Sequence, residues 1–162
     1  MTIENIYNEG LALFHKGKYN EALECFSKII SINQNIYHAY GSRASCKFQL
    51  KDYEGVIEDT EKAACTAFNM GDYAAAIEYY SKQLTIQPEN QMALRDRGVC
   101  KSKAGDYYGA IDDYTNSLKI WRKKLYDIDK SDNYPVNKNN VKKFSDKFNV
   151  ITLCSRGSDR KK

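Results

Sequence analysis

Residues 71–80 read GDYAAAIEYY, a Gly-Asp turn followed by the start of an amphipathic helix. Ala76, Ile77 and Tyr80 are spaced to lie on one side of that helix. The same pattern, a turn dipeptide, a tyrosine and then a small-aliphatic pair, occurs four times: Gly17-Lys18-Tyr19, Lys51-Asp52-Tyr53, Gly71-Asp72-Tyr73 and Gly105-Asp106-Tyr107. The first and second turns lie 34 residues apart, as do the third and fourth. A fixed period of this size indicates a stack of helical hairpins.

The middle of the chain breaks this period. Only 20 residues separate the second turn from the third, and Ala63-Ala64 fits both the end of one repeat and the start of the next. We therefore expect one continuous helix over about residues 53–70 and seven repeat helices where four complete repeats would give eight. Chain direction after Gly71 is then reversed relative to a regular stack. The second half must either interrupt the superhelix or dock differently.

The pattern resembles the tetratricopeptide repeat, a 34-residue helix–turn–helix, over about residues 3–124. Small residues stand at positions eight and twenty of the repeats and aromatic residues at position twenty-four: Gly10, Ala44 and Gly98; Ala22, Ala76 and Ala110; Phe26, Tyr80 and Tyr114. Small residues let paired helices approach closely. The resemblance implies an all-α solenoid of antiparallel hairpins in residues 1–129, with repeats at about 3–36, 37–64, a truncated 63–90, and 91–124.

The end of the chain follows a different pattern. Apolar residues continue the last repeat helix to about Asp129, and a polar stretch with Pro135 predicts a loop. Val141, Phe144, Phe148 and Ile151 are then spaced as on an amphipathic helix. We expect residues 130–154 to form this loop and a capping helix, because solenoids need an atypical end cap. Residues 155–162 are expected to be a disordered basic tail.

Charge and cysteine content narrow the class of protein. Residues 1–120 carry 13 Lys and Arg against 16 Asp and Glu, whereas residues 121–162 carry 12 against 5. The chain has no apolar run long enough for a membrane helix and no secretory signal pattern at its start, so no membrane association is expected. Five widely spaced cysteines (25, 46, 65, 100 and 154) contain no C-x-x-C pair and suit free thiols. The predicted location is the cytoplasm.

Signatures of catalysis are missing from the sequence. His15 and His38 are the two histidines, and neither belongs to a metal-binding motif. The glycines of the turns do not form a phosphate-binding loop, and Cys46 and Cys100 occupy the same repeat position as small packing residues. We therefore predict no enzyme activity, no catalytic or metal site and no cofactor.

The family resemblance implies a concave groove lined by the first helix of each hairpin. Carried onto this chain, the candidate peptide groove consists of Tyr7, Leu11, His38, Ser42, Ser45, Arg95 and Val99. Apolar and aromatic residues among the first of these suit an apolar anchor of a bound peptide or helix. Leu11→Asp is predicted to weaken partner binding without unfolding the protein.

The expected function is that of a scaffold or adaptor that binds a protein or peptide segment in this groove. Some members of the family clamp the acidic carboxyl terminus of heat-shock chaperones with Lys and Asn side chains, but this chain has Tyr7, Leu11 and Ser42 at those positions. No chaperone carboxylate clamp is therefore expected. The alternative function is electrostatic association of the basic region 121–162 with RNA or another anionic partner, although nucleic acid is the less expected partner.

Overall fold

The computed structural model describes the backbone of residues 2–130 and the side chains of residues 2–127. Within this range the chain forms seven α-helices and no strand, which confirms the predicted all-α repeat architecture. The helices are α1 (Ile3–His15), α2 (Tyr19–Ile32), α3 (Tyr37–Gln49), α4 (Tyr53–Asn69), α5 (Tyr73–Ile86), α6 (Gln91–Lys103) and α7 (Tyr107–Lys130). None of these helices is long and apolar enough to cross a membrane.

Four of the turns between helices use a residue in the left-handed region. Gly17, Gly71 and Gly105 have φ angles of 75°, 80° and 88°, which glycine adopts without steric cost. Lys51 holds the same place in the second turn with a φ of 63°. This conformation costs a side-chain-bearing residue roughly 1–2 kcal/mol. The packing of α3 against α4 must offset that cost.

Three helices begin with an aspartate cap. The Oδ1 atom of each aspartate accepts a hydrogen bond from the backbone N–H three residues on, at distances of 2.9 to 3.0 Å. These bonds satisfy amides that have no partner within the helix, and each contributes about 1 kcal/mol. The caps are Asp52 for α4, Asp72 for α5 and Asp106 for α7.

The continuous helix predicted in the middle of the chain is present as α4, which has 17 residues. It packs against α3 on one side and against α5 on the other. Ala63, Ala64 and Ala67 are fully buried, so their small side chains allow α5 to approach. Helix α4 therefore serves both as the second helix of the second hairpin and as the first helix of the third.

Helices α1 to α5 each pack against the next helix along the chain. The buried core of α1, α2 and α3 centres on Phe26 and Ile29, and the ring of Phe26 fills the space beside Gly10. A second cluster joins α3 to α6 and contains the predicted packing residues Ala76 and Tyr80. The two clusters follow one another along the stack, as expected for a repeat architecture.

Helix α5 also packs against α3, which precedes it by two helices. The Tyr37 hydroxyl donates a 2.6 Å hydrogen bond to Asp72 Oδ2, and the Tyr37 ring meets the Tyr79 ring edge-on at 6.2 Å. The Tyr79 ring lies against Gly41, where an added Cβ would come within 2.5 Å of it. These contacts place α5 against α3 as well as against α4.

A buried ion network ties α3 to both of its neighbours in the chain. The Asp59 carboxylate, 3% exposed, accepts bonds from Arg43 Nε at 2.8 Å and Nη2 at 2.6 Å, and Lys47 Nζ lies 3.1 Å away. Arg43 also donates to Ser27 Oγ of α2 at 3.2 Å. The same four residue types form the same network 54 residues further on, across α5, α6 and α7: Ser81, Arg97, Lys101 and Asp113.

The last described helix, α7, runs to Lys130, close to the predicted end at Asp129. The chain divides into two compact units, residues 1–121 and 122–162, and the structure describes the second unit only as far as Lys130. The predicted loop and capping helix within 130–154 and the predicted tail at 155–162 therefore lie almost wholly outside the described residues.

Candidate functional site: two clefts between the helices

The first cleft lies between α3, the first half of α4 and the end of α5. Its volume is about 240 Å³, and its walls are mainly apolar. It is open to solvent at one side, where the exposed rings of Phe48 and Tyr53 meet edge-on at 5.9 Å. The lining residues are Gly41, Ala44, Ser45 and Phe48 from α3, Val56 and Thr60 from α4, and Lys82, Thr85 and Ile86 from α5.

The hydroxyl groups that line this cleft are already bonded to their own helices. Ser45 Oγ donates to the Gly41 carbonyl at 3.1 Å, and Thr60 Oγ donates to the Val56 carbonyl at 2.8 Å. Thr85 Oγ donates to the Lys82 carbonyl at 2.6 Å. Each hydroxyl carries a single hydrogen, so these walls have none left to give to a ligand. The wall can therefore offer a ligand only the lone pairs of the hydroxyl oxygens and the hydrocarbon parts of its side chains.

Lys82 is the one charged residue among those that line the first cleft. Its Nζ atom lies 2.7 Å from Glu78 Oε1 and 5.2 Å from the centroid of the Tyr79 ring. Because the Tyr79 ring rests on Gly41, the ammonium group stands at the Gly41 end of the cleft. Burial raises the pKa of Tyr79 to about 12, so its phenol is neutral and its ring faces the cation.

A second cleft, of about 250 Å³, lies between α4, α5 and α6. Its lining residues are Cys65, Phe68, Asn69, Tyr80, Asp96, Val99 and Cys100. The thiol of Cys65 lies 3.5 Å from the Tyr80 hydroxyl, and burial is the main cause that raises the pKa of Tyr80 far above its usual range. Burial likewise raises the pKa of Cys100 to about 11, which leaves that thiol protonated at neutral pH.

Three of the predicted groove residues lie where α1 meets α3. The Tyr7 hydroxyl and Ser42 Oγ are 2.9 Å apart and hydrogen-bonded to each other, and the Tyr7 ring packs edge-on against Phe26. Leu11 is half-buried and packs against the core of α1, α2 and α3. Leu11→Asp would therefore disturb the core as well as any ligand, which makes it a poor probe of binding.

The other four predicted residues lie apart from the α1–α3 contact. His38 is exposed with its ring 4.1 Å from that of Tyr37. Arg95 is exposed, and its Nη2 atom pairs with Asp96 at 2.8 Å. Ser45 lines the first cleft and Val99 lines the second. The predicted residues thus contribute to two separate clefts and to the α1–α3 contact.

The walls supplied by α5 to the first cleft were not predicted. Lys82, Thr85 and Ile86 belong to the second helix of their repeat, which the family resemblance does not assign to the groove. The shortened 20-residue spacing between the second and third turns was the signal that could have found them, because it makes the single helix α4 pack against both α3 and α5. Among residues whose side chains are described, no three His, Cys, Asp or Glu come together as a metal site would require.

Two models of the tetratricopeptide repeat match the sequence, one over residues 6–36 and the other over residues 61–90. The chain contains tetratricopeptide repeats. The second match begins within α4 and ends after α5, so the second half of α4 serves as the first helix of a tetratricopeptide repeat. The match overlaps residues 63–90, where a truncated third repeat is expected.

Several curated proteins are similar to this tetratricopeptide repeat chain. It is 26% identical over 127 residues to the tetratricopeptide repeat and J domain-containing co-chaperone DNJ1 of Cryptococcus neoformans, a match that covers 63% of the chain and 24% of the relative. It is 28% identical over 118 residues to Hsp70-Hsp90 organizing protein 1 of Glycine max, covering 61% of the chain and 21% of the relative. The chain therefore spans less than a quarter of the length of either relative.

Solved structures of similar chains include a MamA fragment from Desulfovibrio magneticus. It is 19% identical, with a TM-score of 0.41, and the match covers 75% of this chain and 77% of that one. A second is the second TPR of Spaghetti (RPAP3) bound to an HSP90 peptide, 19% identical with a TM-score of 0.38. That match covers 73% of this chain and 91% of the other. Both superpositions are loose.

Proposed function

We propose that this chain is a non-catalytic adaptor that binds a segment of another protein in its first cleft. The observation that carries this proposal is the cleft itself, an open and mainly apolar space beside the exposed rings of Phe48 and Tyr53. An apolar side chain of a partner would be transferred from water into this cleft, and no hydroxyl group of the wall would lose a hydrogen bond. A few anchors of this kind supply most of the free energy of binding at protein interfaces.

The presence of tetratricopeptide repeats supports the same class of function. Tetratricopeptide repeats are stacked helices that present preorganised surfaces to other proteins. The names of two relatives, a co-chaperone and an Hsp70-Hsp90 organizing protein, also describe proteins that work with other proteins. We propose the cytoplasm as the place of action, because the four cysteines within the described residues are free thiols.

We further propose that the adaptor does not use a chaperone carboxylate clamp. At the positions where the family's clamp places Lys and Asn side chains, Tyr7 and Ser42 are hydrogen-bonded to each other, and Leu11 packs against the core. None of these three side chains carries a positive charge that could bind a terminal carboxylate. The first cleft lies elsewhere, on the α5 side of α3.

The test is to select binding peptides and then to fill each cleft in turn. A phage-displayed library of random peptides would be panned on the wild-type chain, and the affinity of the enriched peptides would be measured by fluorescence anisotropy. Ser45→Arg fills the first cleft, and Val99→Arg, 54 residues on, fills the second. We expect Ser45→Arg to abolish binding and Val99→Arg to leave it intact. Peptides that bind Ser45→Arg as tightly as wild type would contradict the proposal.

The second candidate function rests on the basic region 121–162, where 12 Lys and Arg face 5 Asp and Glu. Such a region attracts nucleic acid or another anionic partner, and binding of that kind falls steeply with salt concentration. Titration with a labelled single-stranded RNA at two salt concentrations distinguishes it from the adaptor function. Salt-sensitive RNA binding that Ser45→Arg leaves unchanged would favour this candidate.

A further inference from the structure

The size of the first cleft limits what can enter it. Pockets that hold whole small-molecule ligands usually measure about 300–1,000 Å³, whereas this cleft measures about 240 Å³ and opens to solvent. Such a space suits one side chain of a partner, with the rest of the partner lying over the mouth. Because the wall hydroxyls donate to their own helices, a donor-seeking polar side chain finds no partner there. An apolar side chain is favoured.

Lys82, the one charged residue that lines the first cleft, can exchange its ion-pair partner Glu78 for a carboxylate of a ligand. Lys82 and Glu78 are 53% and 65% exposed, and ion pairs exposed to this degree contribute little to stability. A carboxylate brought by a ligand can therefore replace that of Glu78 without loss to the fold. The ammonium group also keeps its contact with the Tyr79 ring, which holds it at the Gly41 end of the cleft.

We infer that the first cleft recognises a peptide segment of a partner protein in which an apolar side chain lies close to an Asp or Glu. The apolar side chain enters between α3 and α5, and the carboxylate pairs with Lys82. This inference rests on the proposed adaptor function and adds the chemistry of the partner. Lys82 is then a specificity-determining residue, because it rejects segments with Lys or Arg at the same place.

A matched pair of charge reversals tests the role of Lys82. Lys82→Glu places a negative charge at the cleft, and Lys28→Glu makes the same change at the corresponding position of α2, where Lys28 is exposed and lines neither cleft. Affinity would be measured with peptides enriched from the random library on the wild-type chain. We expect these peptides to carry an Asp or Glu near an apolar residue. Lys82→Glu should weaken their binding about tenfold, and Lys28→Glu should not.

Panning the same library on Lys82→Glu gives the reciprocal readout. Peptides enriched there should carry Lys or Arg where the wild type selected Asp or Glu. If the peptides lose affinity with Ser45→Arg but not with Lys82→Glu, the adaptor function stands and the acidic specificity is wrong. If no enriched peptide responds to Ser45→Arg, the cleft is not the binding site, and the adaptor function proposed for it fails together with this inference.

Discussion

The Tyr79 ring occupies the space that a side chain at residue 41 would need. A Cβ atom built on Gly41 would lie 2.5 Å from both Cε1 and the hydroxyl oxygen of Tyr79. The two halves of the chain are related by a shift of 54 residues. The residue 54 positions after Gly41 is Arg95, and the residue 54 positions before Tyr79 is Cys25. The contact between Gly41 and the Tyr79 ring therefore has no equivalent at the corresponding positions. The contact between Gly41 and Tyr79 positions α5 against α3 and so shapes the first cleft.

Gly41→Val is expected to destabilise the fold by about 1–3 kcal/mol, because overpacking forces a well-packed ring and its backbone to move. The measurement is the midpoint of urea unfolding followed by circular dichroism. Tyr79→Cys, which restores the residue found at the corresponding position 25, should remove most of the added cost in the double variant. If Gly41→Val unfolds at the wild-type urea concentration, α5 does not lie on α3 as described.

Asp59→Ala is expected to cost about 3 kcal/mol of folding free energy, because Arg43 and Lys47 then remain largely buried without their counter-charge. Urea unfolding again supplies the measurement. Glu58→Ala changes the adjacent exposed carboxylate and should stay within about 0.5 kcal/mol of wild type. Equal effects of the two substitutions would show that the buried network does not hold α3 to α4.

The second copy of the network predicts acid sensitivity. Burial raises the pKa of Asp113, but hydrogen bonds and charge from Arg97 and Lys101 outweigh it, so the pKa lies below its usual value. A carboxylate with a lower pKa in the folded state stabilises the fold above about pH 4 and loses this contribution as pH falls toward the folded pKa. Asp113→Asn should therefore lower Tm at pH 7 and flatten its decline below pH 4.

Thermal unfolding across pH 2–7 checks this expectation. Asp112→Asn, at the exposed neighbouring position, is the control and should reproduce the wild-type profile. Asp72, whose pKa is lowered chiefly by the Tyr37 hydrogen bond, contributes in the same direction. A decline of Tm with acid that is identical in Asp113→Asn and wild type would contradict the ion network as described.

The local features of this fold could be predicted from the sequence, and the long-range ones could not. The continuous helix α4 and the caps at Asp52, Asp72 and Asp106 follow from nearest neighbours, spacing and turn residues. Lys51 in a left-handed turn is recognised only through its place in the repeat, because its residue type disfavours that conformation. These features depend on a few residues that are adjacent in the chain.

The candidate site depends on which helices meet across the stack. Ser45 lies on the face of α3 that lines the first cleft, and its place on that face follows from helical spacing. The opposite wall at Thr85 and Ile86 depends on the direction of the chain after a shortened connection. Leu11 has the spacing of a groove residue, yet it packs against the core of α1, α2 and α3. The spacing of residues along the chain does not reveal which helices pack together.

Thiol reactivity provides an independent check on burial. Burial raises the pKa of Cys46 and of Cys100 to about 11, and it is also the main cause that raises the pKa of Cys25. A protonated, shielded thiol reacts slowly. Of these described cysteines and exposed Cys65, iodoacetamide at pH 8 should modify Cys65 first, as read by peptide mass mapping. Early modification of Cys46 in the folded protein would contradict its complete burial.

The most direct test of the adaptor function is to map where a selected peptide binds the full chain. Amide chemical shifts of the isotope-labelled protein would be followed as a peptide enriched on the wild type is added. We expect the largest changes in the residues around the first cleft, at 41–48 and 82–86. Changes confined to 65–69 and 95–100, around the second cleft, or to residues 122–162 would contradict it.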